Sequence, residues 1–479
     1  MKTILESFKL IGSIMLLWLV ASNVYAEQVV NVGIGIQNTT SNTVNGGIII
    51  EKLGLLEKNL PKTGRYKDIT FKIDWQNYTS GPPVTNGMIA DKLQIGMMGD
   101  YPLLVNGATF QHEKNSQSKL IAILAYNLDG AGNGVVVNKD SPYYQLSDLK
   151  GKLVSVPFGS AAHGMLLKAM EDRKWGPDYW QLVNQSPEIG STNLQENKID
   201  AHADFVPFAE LLPFKGFARK IFDGVETKVP TFHGVVVRTD FAKKYPEFVV
   251  AYLKSVIEAN AWIKKNPKVA SEKLAEWTGI DKEVIYMFIG PGGIHTMDPT
   301  IKDSLVGAIK YDYGVLQRMG RVKDFNVDAW VDDQYIRKAF KEDGLNYDAQ
   351  KKSTAGYEVA KGKDPICGGM ITQTKEAGEV WIEGGNIVTF STPNCTLAAI
   401  KKYQNEGKKI DVSFLWDHTY GVKIFTDKAF YALSAKDPKK PVIVPFLLRK
   451  DAEQYAAKIG GKLADYNEVL HAATVISGS

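Results

Sequence analysis

The sequence predicts an α/β protein of more than one compact unit, carrying a smaller α+β domain at its C-terminal end. Three observations predict it. From Val29 to about Gln334, short apolar runs alternate with helical stretches, the pattern of strands and helices layered around sheets. At Lys341 the composition turns polar and lysine-rich, and strand and helix patterns resume near Pro365. The 479 residues also exceed one ordinary domain of roughly 100–200 residues.

The chain opens with MKTILESFKLIGSIMLLWLVASNVYA. Lys2 and Lys9 flank a polar start, an apolar run spans Leu10 to Ala21, and Val24-Tyr25-Ala26 forms a small-x-small cleavage site before Glu27. The run is shorter than the ~20 residues of a membrane span, so residues 1–26 are expected to be a signal peptide for export. Nothing later in the sequence reads as a membrane span.

"VVNVGIGI" then reads as a strand, "QNTTSNT" as a polar loop and "GGIIIEKLGLLEK" as a helix. "ITFKIDW" and "QIGMM" are strands with the helical "PPVTNGMIADK" between them. "KLIAILAY", "GVVVNK", "KLVSVPF" and "GVVVR" continue the series, and the alternation predicts largely parallel sheets. "FVVAYLKSVIEANAWIKKN" is an amphipathic helix. Residues 341–363 lack apolar periodicity and are expected to be a linker. In the last region, 364–479, "EVWIEGGNIVTFS" predicts a hairpin about Gly384-Gly385, while "TLAAIKKYQNEG" and "RKDAEQYAAKIGG" predict helices closed by glycine.

The formal net charge is +4, from 57 basic and 53 acidic residues that are dispersed along the chain. With no basic stripe interleaved with aromatics, nucleic acid is excluded as the expected partner.

Three strand-to-helix junctions carry the chemistry. In "KLVSVPFGSAAHGMLLKAM", a strand over Leu153–Phe158 runs through Gly159 into Ser160, well placed as an N-cap. The amides of Ala161, Ala162 and His163 are then left to face a ligand, and a helix N-terminus favours an anion there. A serine at this position reads equally as a simple cap. "QIGMMGDYPLLVNGA" places Gly99 and Asp100 at a second junction, and "KIDAHADFVPFAELL" places Asp200, His202, Asp204 and Pro207 at a third. In open α/β sheets, ligands bind where such loops gather beyond the strand ends.

These three segments resemble the motifs of periplasmic substrate-binding proteins of nitrate, taurine and aliphatic-sulfonate ABC importers, over about residues 29–340. The resemblance implies a non-enzymatic, bilobal periplasmic-binding-protein fold over 27–340, with the second lobe at about 129–231. It also implies a small anionic ligand, sulfonate-, taurine- or nitrate-like, and an ABC permease in the inner membrane as partner. By the same resemblance the ligand is held by Gln37 and Asn38, by Gly99 and Asp100, and by Ser160 with the amides of Ala161, Ala162 and His163. The chain departs from the pattern in having alanines after Gly-Ser, and His202 and Phe205 where a tryptophan is common. With Asp100 or Asp204, His163 and His202 leave open a cationic or metal-chelated ligand. Thiamine-pyrimidine synthases share this fold, but their cysteine-rich catalytic segment has no counterpart in these lobes.

The only cysteines of the chain, Cys367 and Cys395, lie in the last region, the first within "DPICGGM". Cys367 and Met370 are three apart with glycines between, a soft pair suited to Cu(I); Cys395 and His418 are further candidate ligands. A structural disulfide is the alternative. "DPICGGM", "VTFSTPNCTLAAI" and "VPFLLRKDAEQYAAKIGGKLADYNEVL" resemble the NosL-type copper proteins of nitrous oxide reductase assembly. That resemblance implies a small α+β domain that binds Cu(I) and serves a cuproprotein acceptor; no cofactor is expected in the lobes, and His418 stands where the family frequently has tyrosine. Two readings of the whole therefore stand: a solute receptor with a copper-binding tail, or a copper chaperone whose lobes deliver a copper complex.

Overall fold

In the computed structural model, residues 28–475 are described apart from 115, 319 and 321, and the expected signal peptide lies outside them. The strands of the two lobes are β1 (Gln28–Ile36), β2 (Ile69–Asn77), β3 (Ile95–Gly99), β4 (Ser118–Asn127), β5 (Gly134–Asn138), β6 (Leu153–Val156), β7 (Gln181–Asn184), β8 (Ala201–Asp204), β9 (Ala218–Asp223), β10 (Thr231–Arg238) and β11 (Thr296–Met297). The first lobe's sheet has the order β11-β4-β10-β3-β1-β2, and the second lobe's has β7-β6-β8-β5-β9. The chain leaves the first lobe between β4 and β5 and returns between β9 and β10.

The sheets are mixed, which corrects the expectation of largely parallel pairing. β1 runs parallel to β2 and β3, while β10 lies antiparallel between β3 and β4. β6 is parallel to β7 and β8, while β5 is antiparallel to β8 and β9. β10 and β5 are reversed because each enters its lobe from the other one, and β11 also runs antiparallel to β4. Each βαβ unit within a lobe keeps the parallel order that its helical return imposes. Among the described residues no helix is long and apolar enough to cross a membrane.

Residues 341–363 are not a free linker. Helix Gln334–Glu342 runs into the region and a further helix forms over Tyr347–Lys352. Buried Lys302 donates to the carbonyls of Gln350, Lys351 and Ser353, and the hydroxyl of Tyr347 accepts from the amide of Ile301. A helix of six residues is marginal alone, and these contacts hold it.

The C-terminal domain contains β12 (Gly362–Lys363), β13 (Met370–Ile371), β14 (Gly378–Ile382), β15 (Ile387–Phe390), β16 (Ile410–Trp416), β17 (Lys423–Phe425), β18 (Phe430–Ser434), β19 (Val442–Phe446) and β20 (Lys462–Ala464). It is a tandem repeat. In one unit β14 pairs with β15 and β16, with helix Pro393–Asn405 between the latter two; in the other β18 pairs with β19 and β20, with helix Arg449–Ile459 between them. Each unit is entered by an Asp-x-x-x-Gly turn. Asp364 accepts from the amides of Cys367 and Ser391, and Asp417 accepts from those of Tyr420 and Leu447. Gly368 and Gly421, which close these turns, both have positive φ, 76° and 69°. The expected hairpin forms between β14 and β15, with Gly384 at φ 63°.

The repeat packs directly on the lobes. Trp381 and Phe414 lie against Tyr286, with ring centroids 5.4 and 5.7 Å apart, and Phe425 lies 5.2 Å from Phe214 of the second lobe. Glu226, on the loop that leaves β9, pairs with Lys450.

Candidate ligand site between the lobes

β1 ends at Ile36 and the chain turns back on itself through residues 37–47. The side chain of Gln37 donates to the carbonyl of Met97 at 2.8 Å, its own carbonyl accepts from the hydroxyl of Thr43 at 2.8 Å, and the amide of Asn38 donates to Asn77 at 2.9 Å. Gln37 is therefore spent on tying the loop to β3 and to Thr43. Several of the loop's other side-chain oxygens are not. Asn38 Oδ1, Thr40 Oγ1, Ser41 Oγ and Asn42 Oδ1 are buried with no hydrogen-bond partner in the protein. Leaving one such group unsatisfied costs about 1–3 kcal/mol, so four together mark a place for a polar guest.

Asn42 lies 3.3 Å from Nδ1 of His233, which sits on β10 opposite Gly99. A Cβ on Gly99 would come within 3.3 Å of His233 Nε2 and 3.2 Å of the Ala161 Cβ. Glycine at 99 thus lets an imidazole of the first lobe and the start of a second-lobe helix meet over the end of β3. Asp100, next to it, is buried and satisfied: its carboxylate accepts from Thr231 and from the amide of Tyr101, each at 2.7 Å.

On the facing side, Gly159 takes φ 79° and Ser160 caps helix Ala161–Asp172, accepting from the amide of His163 at 3.3 Å. β6 stops at Val156, short of the expected Phe158, because Pro157 cannot donate to the ladder. Ala161 and Ala162 occupy the first helical positions, where amides have no intrahelical acceptor. The His163 ring is a support: Nδ1 accepts from the amide of Gly159 at 3.1 Å, and its face stacks on Phe158 at 4.9 Å.

His202 and Asp204 are directed to each other rather than to a ligand. Both are fully buried, 2.8 Å apart, with the other His202 nitrogen 3.2 Å from Ser155 and Asp204 accepting from the amide of Phe205. Burial pushes the Asp204 carboxyl up, against the pull of His202. His202 also packs beneath helix Pro187–Gln195, where a Cβ on Gly190 would collide with the imidazole.

The sequence reading overlooked His233, His295 and the run Thr40-Ser41-Asn42. His295 donates from Nε2 to the carbonyl of Ala131 at 2.7 Å, which leaves Nδ1 buried and unpartnered. Burial lowers His233 to about 3, helped by His295, and lowers His295 to about 4, so both imidazoles are neutral.

In the C-terminal domain Cys367 and Cys395 form a disulfide with Cα atoms 6.0 Å apart. Of the two readings open in the sequence, this structure holds the oxidised one, in which neither sulfur is a thiolate. Among the described residues, Asp364, Cys367 and Cys395 are the one group of three metal-ligating types whose ligand atoms lie within 4.8 Å of one another. The Asp364 carboxylate is already occupied by the amides of Ile366, Cys367 and Ser391 and by the Ser391 hydroxyl. Although burial opposes it, these bonds hold its pKa below the usual value. Met370 is 63% exposed, and His418 packs edge-on against Tyr455 and Phe446, outside the sulfur cluster.

Comparison with known proteins agrees with this architecture. Residues 107–270 match the family model described as NMT1/THI5 like. The chain is 26% identical over 320 residues to a protein of Bacillus subtilis (strain 168) that carries the name aliphatic sulfonates-binding, covering 66% of this chain and 90% of that one. It is 30% identical over 219 residues to the taurine-binding periplasmic protein of Escherichia coli (strain K12), covering 43% of this chain and 64% of that one. The alkanesulfonate-binding protein SsuA from Xanthomonas axonopodis pv. citri, solved bound to MOPS, superposes with TM-score 0.53 at 18% identity, over 63% of this chain and 97% of that one. The periplasmic nitrate-binding protein NrtA from Synechocystis PCC 6803 gives 0.52 at 14% identity, over 71% and 94%. The fold is thus the bilobal α/β fold of periplasmic binding proteins, with an additional C-terminal domain.

Proposed function

We propose that this chain is the exported, periplasmic solute-binding component of an ABC importer, and that it captures a small organic oxoanion of the sulfonate class for a permease in the inner membrane. One observation carries the reading: the loop that holds the unpartnered hydroxyls of Thr40 and Ser41 is brought, through His233 and Gly99, against the first turn of helix Ala161–Asp172. That turn supplies amide donors and the positive end of a helix dipole, and the loop supplies hydroxyls, so an oxoanion is bound by neutral donors alone. The names of the similar proteins support the sulfonate class over other oxoanions. No step of bond making is required of any residue. Isothermal titration of the full mature chain with taurine, ethanesulfonate and nitrate tests the reading. Saturable binding of a sulfonate supports it, and heat of dilution alone with all three ends it.

The same proposal assigns the C-terminal domain a Cu(I) ion once its cysteines are reduced. Cys367 and Cys395 would hold the ion, exposed Met370 is free to join them, and soft sulfur suits that metal. Bound there, the ion is cargo for a cuproprotein acceptor. A copper chaperone with the lobes as scaffold is the second reading, and the sulfur cluster is what favours it. Native mass spectrometry of the reduced full chain with Cu(I) separates the two when run beside the sulfonate titration.

A further inference from the structure

Helix Ala161–Asp172 belongs to the second lobe, yet its inner face lies on two helices of the first. Gly164 meets helix Asp100–Phe110 so closely that an added Cβ would lie 2.7 Å from the Tyr101 ring. One turn further on, Lys168 lies 3.4 Å from Asp312 of helix Asp303–Arg318, and the two side chains are only 7% and 6% exposed. At the rim Arg318 donates to Glu171 at 3.0 Å. Helix Asp303–Arg318 is part of the first lobe, since Leu305, Ile309 and Leu316 pack with Leu103 and Phe232.

We propose that Lys168 and Asp312 are a closure latch, a positioning pair that is desolvated only when the lobes meet and that sets the register in which the first turn of helix Ala161–Asp172 faces Gly99 and the 38–42 loop. The proposal rests on the reading of the lobes as a closing solute receptor. When the lobes part, both ends return to water, where an ion pair contributes little. When they meet, a buried ammonium is tolerable only opposite its carboxylate, so a slid or partial closure leaves an unpaired charge and is rejected. The pair therefore fixes which closed geometry forms, more than how tightly it holds.

The test uses the full chain with spin labels at exposed Lys67→Cys and Lys198→Cys, one on each lobe, and reads interlobe distances with and without taurine. Lys168→Met should raise the open-to-closed ratio about tenfold or more, because Asp312 is left buried and unpaired. Lys168→Met/Asp312→Leu should return the distribution to that of the parent, since an apolar pair closes without a charge to desolvate. Asp312→Asn should likewise raise the open-to-closed ratio, because the Lys168 ammonium is then buried opposite a neutral group. A single variant with the parent distribution, or a double variant as open as the single, overturns the latch. Distances that respond as stated in a protein that binds no sulfonate would leave the latch standing and remove the ligand reading.

Discussion

Lys423 lies completely buried 2.6 Å from Glu379, within 4.3 Å of the Tyr286 ring and 5.1 Å of the Trp416 ring. Its ammonium also donates to the carbonyl of Pro291 at 3.0 Å, and Trp416 donates to that of Gly292 at 2.8 Å. The pair thus ties the C-terminal repeat to the loop that continues into His295, at the wall between the lobes. Replacing Lys423 by methionine leaves Glu379 buried against aromatic rings without its counter-charge. Removing one member of such a pair costs about 3–5 kcal/mol, which urea unfolding should register. Substituting both, as Lys423→Met/Glu379→Gln, should recover most of that loss. A Lys423→Met protein with parental stability would show that the domain is held by its apolar contacts alone.

Ser160→Pro removes the cap hydroxyl at the helix start, together with the amide that donates to the carbonyl of Pro157 at 3.2 Å and holds the turn. If an oxoanion sits there, sulfonate affinity should fall at least about tenfold, the size of one charge-assisted hydrogen bond of ~1.5–3 kcal/mol. Unchanged titration curves would remove this turn from the site.

Much of the candidate site's local geometry is legible in the sequence because it coincides with secondary-structure boundaries. The Gly-Ser turn before a helix and the Gly-Asp turn after a strand are written in local residue order. His233 and His295 were not legible, since each is a single imidazole delivered from a distant part of the chain, with no spacing to betray it. Thr40, Ser41 and Asn42 look like any solvated loop until the fold buries them, with His233 of β10 against Asn42. His202 and Asp204 misled for the opposite reason: their i, i+2 alternation puts both on one face of β8, where they pair with each other. The tandem repeat was hidden because Cys367 and Cys395 of one unit stand where Tyr420 and Asp451 stand in the other, so only the turn aspartates and glycines match.

The two buried imidazoles predict how stability depends on pH. Folding depresses both, to about 3 and about 4, while in the unfolded chain each titrates near ~6.5. The unfolded state then binds more protons below that value. Their contribution is fully present above about pH 6.5 and is lost as pH falls towards 4 and then 3. Between about pH 6 and 4 the slope from two histidines approaches ~2.7 kcal/mol per pH unit. Unfolding curves for the parent and for His295→Asn should show the variant losing roughly half of that slope. Parallel curves would mean that His295 is protonated in the folded protein.

The last prediction concerns Cys367 and Cys395, 28 residues apart and joined in this structure. Closing a loop of that length contributes ~3–4 kcal/mol through the unfolded chain, so Cys395→Ser should lower stability by that order under oxidising conditions. Under reducing conditions the same substitution should cost far less, because only a small buried side chain has changed. Copper reads the other state of the pair. The reduced full chain should take up one Cu(I), releasing protons as the thiols ionise, with affinity falling as pH falls. Met370→Leu is almost volume-conserving and lies at an exposed position, so it should leave stability alone. A drop in Cu(I) affinity on that substitution would add the thioether to the ligand set, while no change would leave the two sulfurs of the cysteines as the whole of it. If the reduced parent takes up no Cu(I) above background, Cys367 and Cys395 are a structural staple of the first repeat unit and the copper reading falls.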